Sequence, residues 1–89
     1  MPQRDITIIN KLGLHARAAA KFVTLASKFP CSVDVSRGSQ TVNGKSIMGV
    51  MMLAASQGTT ITISTTGENE QQALDALEEL INNRFDEAE

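Results

Sequence analysis

Tryptophan and tyrosine are absent and phenylalanine occurs three times, so there is little here to build a surface that stacks bases on aromatic rings. With no strong positive excess either, nucleic-acid binding is not expected. The one cysteine, Cys31, cannot close an internal disulfide, and no Cys/His cluster has the spacing of a zinc site. A reducing compartment and no bound metal are expected. The longest apolar run, residues 47–55, falls far short of the ~17 residues needed to span a bilayer, and MPQRDITIIN has no basic leader followed by a long apolar stretch. The expectation is a soluble, cytoplasmic protein with no membrane insertion.

What remains is 89 residues with 42% hydrophobic and 20% charged side chains, which excludes a solvating acidic tail and suits one small aliphatic core. Residues 1–89 therefore read as a single domain. A domain this small buries only about 60–70% of the surface its unfolded chain exposes, so apolar residues left outside call for an explanation. Charge is unevenly spread along the chain: residues 1–45 hold seven Lys/Arg against two Asp/Glu, and residues 46–89 hold one against eight. Such asymmetry suits a face that attracts an anionic ligand or an acidic protein, although it also arises when charges merely decorate helices.

Ile6 and Ile8 alternate with Asp5 and Thr7 as in a half-buried strand, and a turn signal follows over Asn10 to Gly13. From Ala16 to Lys28 the apolar positions Ala19, Phe22, Val23 and Ala26 recur at helical spacing until Pro30 stops the helix. Residues 32–43 read as a hairpin turning near Arg37-Gly38. Ser46 is a good N-cap for a short helix from Ile47 to about Ala55, and Thr60 to Ser64 alternate as another strand before Gly67. Asn69 with Gln72 suggests a capping box for a last helix whose buried stripe is Ala73, Leu74, Leu77, Leu80 and Ile81. The acidic tail, Asp86 to Glu89, is expected to fray. The order βαββαβα implies an α+β, two-layer open-faced β-sandwich: a four-stranded, mainly antiparallel sheet covered on one face by three helices.

The only histidine, His15, falls at the start of the first predicted helix, where Ser, Thr, Asp or Asn would cap better. It brings a nucleophilic ring nitrogen to a helix N-terminus. The N–H groups of Ala16, Arg17 and Ala18 form an anion site there, and the Arg17 guanidinium suits phosphate oxygens. The positive helix end would also stabilise a dianionic group once transferred. On spacing alone, one His beside one Arg fits a surface histidine that happens to precede a helix more readily than a functional site. The run Ile47 to Ala55 carries no polar side chain, and a helix covered on one side cannot bury all of it. With Val50 and Leu53 inward, Ile47, Met48 and Met51 are left as a polarizable patch suited to partners. GKS at 44–46 is not the end of a P-loop, which would need Gly where Ser39 stands.

The strings KLGLHARAAAKFV and GKSIMGVMMLAA together resemble the HPr family of phosphocarrier proteins of the bacterial phosphotransferase system, including its nitrogen-related NPr branch. The likeness covers the whole chain. It implies that His15 is the phosphorylated histidine, Arg17 the adjacent phosphate-binding arginine, and Ser46 a serine phosphorylated by an HPr kinase/phosphorylase. It further implies an enzyme I-type donor, an EIIA-type acceptor, no cofactor, and a monomer that docks partners through Ala20, Lys21, Thr24, Ile47, Met48 and Met51. One departure is visible: the family commonly has proline after this arginine, where this chain has Ala18, which keeps the helix and adds an N–H donor. KLGLHARAAAKF and LINNRFDE look closer to NPr, whereas GKSIMGVM looks like carriers with a serine switch. Two functions follow from the likeness, a phosphoryl relay and a regulatory module that signals through its phosphorylation state.

Overall fold

The structure, a computed structural model, describes residues 2–87. Strands β1 (Gln3–Thr7), β2 (Ser32–Arg37), β3 (Gln40–Asn43) and β4 (Thr60–Thr66) form one antiparallel sheet in the order β1-β4-β2-β3. Helices α1 (Ala16–Ala26), α2 (Ile47–Met52) and α3 (Glu70–Asn82) follow in the expected alternation. The period-two pattern decides the faces. Ile6 lies opposite Ile61 and Val35 opposite Ile63, and all four are buried under the helices. The open face carries polar ladders instead, including Thr7 with Thr60 at 3.1 Å, Thr62 donating to Asp5 at 2.7 Å, and Ser36 with Thr41 at 3.0 Å. Alternation on the strands thus yields the open-faced two-layer sandwich.

From the helix layer, Ala18, Ala19, Phe22 and Ala26 of α1 meet Ala73, Leu74, Leu77 and Ile81 of α3 in the same apolar cluster, and Val50 and Leu53 enter it from α2. Arg4 on the edge strand ties β1 to α3 through Asp75 at 2.9 Å and Glu78 at 2.6 Å. Two helices are shorter than their apolar periodicity suggests. Beyond Ala26, Ser27 still bonds four residues back, but Lys28 and Phe29 bond three back, so the coil tightens into turns before Pro30. After Met52 the backbone makes three-residue bonds and Ala54 takes a left-handed φ of 52°.

The Ser46 cap is as expected, its Oγ accepting the Gly49 N–H at 3.1 Å. The capping box at Asn69 is not formed. Asn69 has left-handed backbone (φ 63°, ψ 26°) where a cap is normally extended, so its side chain pairs with that of Gln72, and Glu70 folds back onto the Gly67 N–H at 2.9 Å. The expected fraying also fails at Asp86 and Glu87, while Ala88 and Glu89 lie outside the described residues. Phe85 is the reason. It is wholly buried, and the left-handed turn Arg84–Asp86 that seats it carries the chain back toward the start of α1.

Candidate functional site

His15 is the N-cap of α1, with extended backbone and a side chain that caps nothing. The first helical bond runs from the Ala19 N–H to the His15 carbonyl at 2.8 Å, so the N–H groups of Ala16, Arg17 and Ala18 precede it and have no acceptor within the helix. Ala18 contributes its backbone there while its methyl sits in the core, and Arg17 projects from the first turn as an exposed side chain. The loop that delivers His15 is fixed from behind: Leu14 donates its N–H to Ala55 O at 2.8 Å and Gly13 to Asn10 O at 3.2 Å. Gly13 has φ +68°, and a Cβ built on it would stand 2.5 Å from Ala55 O, so this close approach needs glycine.

The ring of His15 is about a third exposed, and its Nε2 meets Glu87 Oε2 at 2.5 Å. The second carboxylate oxygen of Glu87 accepts from Asn10 Nδ2 at 2.9 Å, and the same amide donates to Gly13 O at 2.9 Å. Lys21 closes the arrangement by donating to Phe85 O at 2.7 Å. Burial pushes the Glu87 carboxyl up, but hydrogen bonds from Asn10 and His15, aided by the charges of His15 and Lys21, outweigh it and hold the group below the usual carboxylate range. Glu87 is therefore a carboxylate beside the imidazole.

The expected docking residues lie on α1 and α2. Arg17, Ala20, Lys21 and Thr24 line a shallow cavity of about 410 Å³ between α1 and α3, with Leu80 and Asp86 on its far wall. Lys21, expected as a docking residue, is half-buried and already engaged by the Phe85 carbonyl. On α2, Ile47, Met48 and Met51 are exposed while Val50 and Leu53 are buried, the division inferred from helical spacing. Met52 (63% exposed) and Leu12 (66%) are further exposed apolar side chains beyond the expected three. Met52 is legible in retrospect as the i+4 neighbour of Met48. Asn10 and Glu87 are the residues that sequence reasoning misses: Asn10 read only as a turn former, and Glu87 as part of a frayed tail. Among the described residues no three His, Cys, Asp or Glu side chains gather as metal ligands, and no helix is long and apolar enough to cross a membrane.

Comparison with known proteins decides the family. The model for the PTS HPr component phosphorylation site matches residues 2–83. The chain belongs to the HPr family of phosphocarrier proteins. It is 64% identical over 90 residues to the phosphocarrier protein HPr of Pseudomonas aeruginosa, with both chains covered in full. It is 43% identical to the phosphocarrier protein NPr of Shewanella violacea, over 97% of this chain and 94% of that one. Among solved structures, HPr-C-His from Thermoanaerobacter tengcongensis superposes with a TM-score of 0.96 at 46% identity, with complete coverage of both chains. The HPr family thus accounts for both the fold and the phosphocarrier identity.

Proposed function

We propose that this chain is the relay of a phosphoenolpyruvate-dependent phosphotransferase system: His15 accepts a phosphoryl group from enzyme I, or from its nitrogen-branch counterpart, and hands it to an EIIA-type protein. The observation that carries this reading is the placement of the one histidine at an uncapped helix N-terminus, with three backbone N–H groups that the helix does not use. Those groups, from Ala16, Arg17 and Ala18, receive the phosphate oxygens, and the Arg17 guanidinium adds a planar fork for them. Transfer between two histidines needs in-line positioning and charge stabilisation more than a bound cofactor, so the partners supply catalysis and this chain supplies a partly exposed acceptor.

Donor and acceptor dock in turn on the exposed apolar surface of Ile47, Met48 and Met51 and on Ala20, Lys21 and Thr24 of α1. Ser46, the N-cap of α2, is the site of regulatory phosphorylation by an HPr kinase/phosphorylase. A phosphate there sits favourably at a helix N-terminus but places new charge beside the docking patch. The protein works as a cytoplasmic monomer, in the carbohydrate branch or the nitrogen-related branch of the system. The test is a relay assay: label from phosphoenolpyruvate should pass through enzyme I and this chain to an EIIA-type protein. Tight binding to a regulatory target, with no onward transfer to any EIIA, would favour instead a module of the nitrogen-related branch that signals by its phosphorylation state.

A further inference from the structure

We propose that Glu87 is a positioning residue for His15, holding the proton on Nε2 so that Nδ1 presents its lone pair, and balancing the ring's positive charge as an N–P bond forms. The inference rests on the reading of His15 as the phosphoryl acceptor. Three features support it. Its geometry is specific, because each oxygen of the carboxylate has its own partner, Oε2 with His15 Nε2 at 2.5 Å and Oε1 with Asn10 Nδ2 at 2.9 Å. The orienting amide is itself immobilised, since Asn10 is completely buried and also donates to Gly13 O at 2.9 Å. The backbone that delivers Glu87 is an unfavourable one, with Arg84, Phe85 and Asp86 in succession at φ 56°, 54° and 62°.

Such a run of left-handed L residues persists only when its surroundings over-determine it. Here Phe85 is wholly buried, Lys21 holds the Phe85 carbonyl at 2.7 Å, and the Glu87 N–H bonds to Arg84 O at 2.9 Å. The product of that strain is a carboxylate on one ring nitrogen and, among the described residues, no hydrogen-bond partner on the other. A carboxylate accepting one imidazole N–H fixes the tautomer and the ring orientation, and it stabilises the imidazolium that appears when the other nitrogen is loaded. In the transfer step the Nδ1 lone pair forms the bond to phosphorus while the bond from phosphorus to the donor nitrogen breaks, its electron pair leaving with that nitrogen. The proton stays on Nε2 against Glu87 throughout. Onward transfer returns the N–P pair to Nδ1 and leaves a neutral ring.

The experiment uses phosphoramidate, a small phosphoryl donor that needs no docking surface, on the full chain and on its Glu87→Ala and Glu87→Gln variants. Phosphorylation of His15 should slow about 10-fold in Glu87→Ala, within the range typical for losing an orienting partner, and by less in Glu87→Gln, which still accepts a hydrogen bond but carries no charge. With enzyme I as donor, kcat should fall while KM holds. The Nε2 proton should give a low-field NMR resonance in the parent that Glu87→Ala loses and Glu87→Gln keeps, a readout that a merely structural clip would not move in this pattern. Should Glu87→Ala fail to fold, Glu87→Gln carries the test alone. Parent-like phosphoramidate rates in a folded variant, with His15 labelled in the parent, would overturn the role of Glu87 only. A parent that takes no label on His15 would overturn the acceptor reading beneath it.

Discussion

Replacing Gly13 by alanine tests how the loop that carries His15 is built. Gly13 has φ +68°, and the new Cβ would lie 2.5 Å from Ala55 O and 2.8 Å from Ser56 Cα, both backbone atoms that cannot swing aside. Left-handed backbone costs an L residue about 1–2 kcal/mol, and forcing a methyl into filled space costs about 1–3 kcal/mol more. Gly38 provides the control: its φ is +60°, but a Cβ there meets nothing within 4 Å, so Gly38→Ala should pay the backbone cost alone. The excess of about 1–3 kcal/mol for Gly13→Ala translates, at about 4–8 °C per kcal/mol in a domain of this size, into a melting temperature roughly 5–20 °C below that of Gly38→Ala. Thermal melting by circular dichroism reads this directly. Phosphoramidate labelling should slow in Gly13→Ala, because relief of the clash moves the Asn10–Leu14 loop that positions the ring, and remain unchanged in Gly38→Ala. Equal melting temperatures for the two variants would refute the close approach of Gly13 to the Ala55–Ser56 segment.

Met48→Glu should weaken association with enzyme I at least several-fold in titration calorimetry while melting within a few degrees of the parent, since Met48 is 71% exposed; cooperative unfolding at room temperature would show that it serves the core. Ser46→Ala should lose about 0.5–2 kcal/mol in denaturant unfolding through loss of the Gly49 N–H cap yet accept phosphate normally, whereas Ser46→Asp should keep the stability and raise the KM for enzyme I. The acid limb of the stability profile should contain a contribution from Glu87, whose folded pKa lies below its usual value of 4.5. That stabilisation is complete above the usual value and disappears as pH falls through the lower folded one, so the melting difference between parent and Glu87→Gln should be present at neutral pH and vanish in strong acid.

Most of the fold was legible because its signals are local. The period-two runs at Ile6, Ile61 and Ile63, the helical stripes of α1 and α3 and the Ser46 cap each depend on residues close together in the chain, and each is realised except at Val23 and Leu80, which lie at the edge of their stripes and are only partly buried. The same holds for His15 and the first-turn N–H groups, which belong to a single turn of helix. Asn69 shows where local rules lose, since its backbone is left-handed and its side chain pairs with that of Gln72 instead of capping the helix backbone. The partnership of His15 with Glu87 lies 72 positions apart, and no periodicity encodes it. Its one trace is Phe85, a lone aromatic in the polar run NNRFDE of a chain with only three, which is hard to leave in solvent when a core this small needs filling. Once Phe85 is buried, the residue two positions on is brought to the imidazole.

The most direct measurement of the central claim is site-resolved phosphorylation of the full chain by enzyme I and phosphoenolpyruvate, compared with His15→Ala. The account predicts one phosphoryl group per chain, on the imidazole of His15, lost in acid and kept in alkali as an N–P bond is, and none on the folded variant. Label retained by His15→Ala would contradict it.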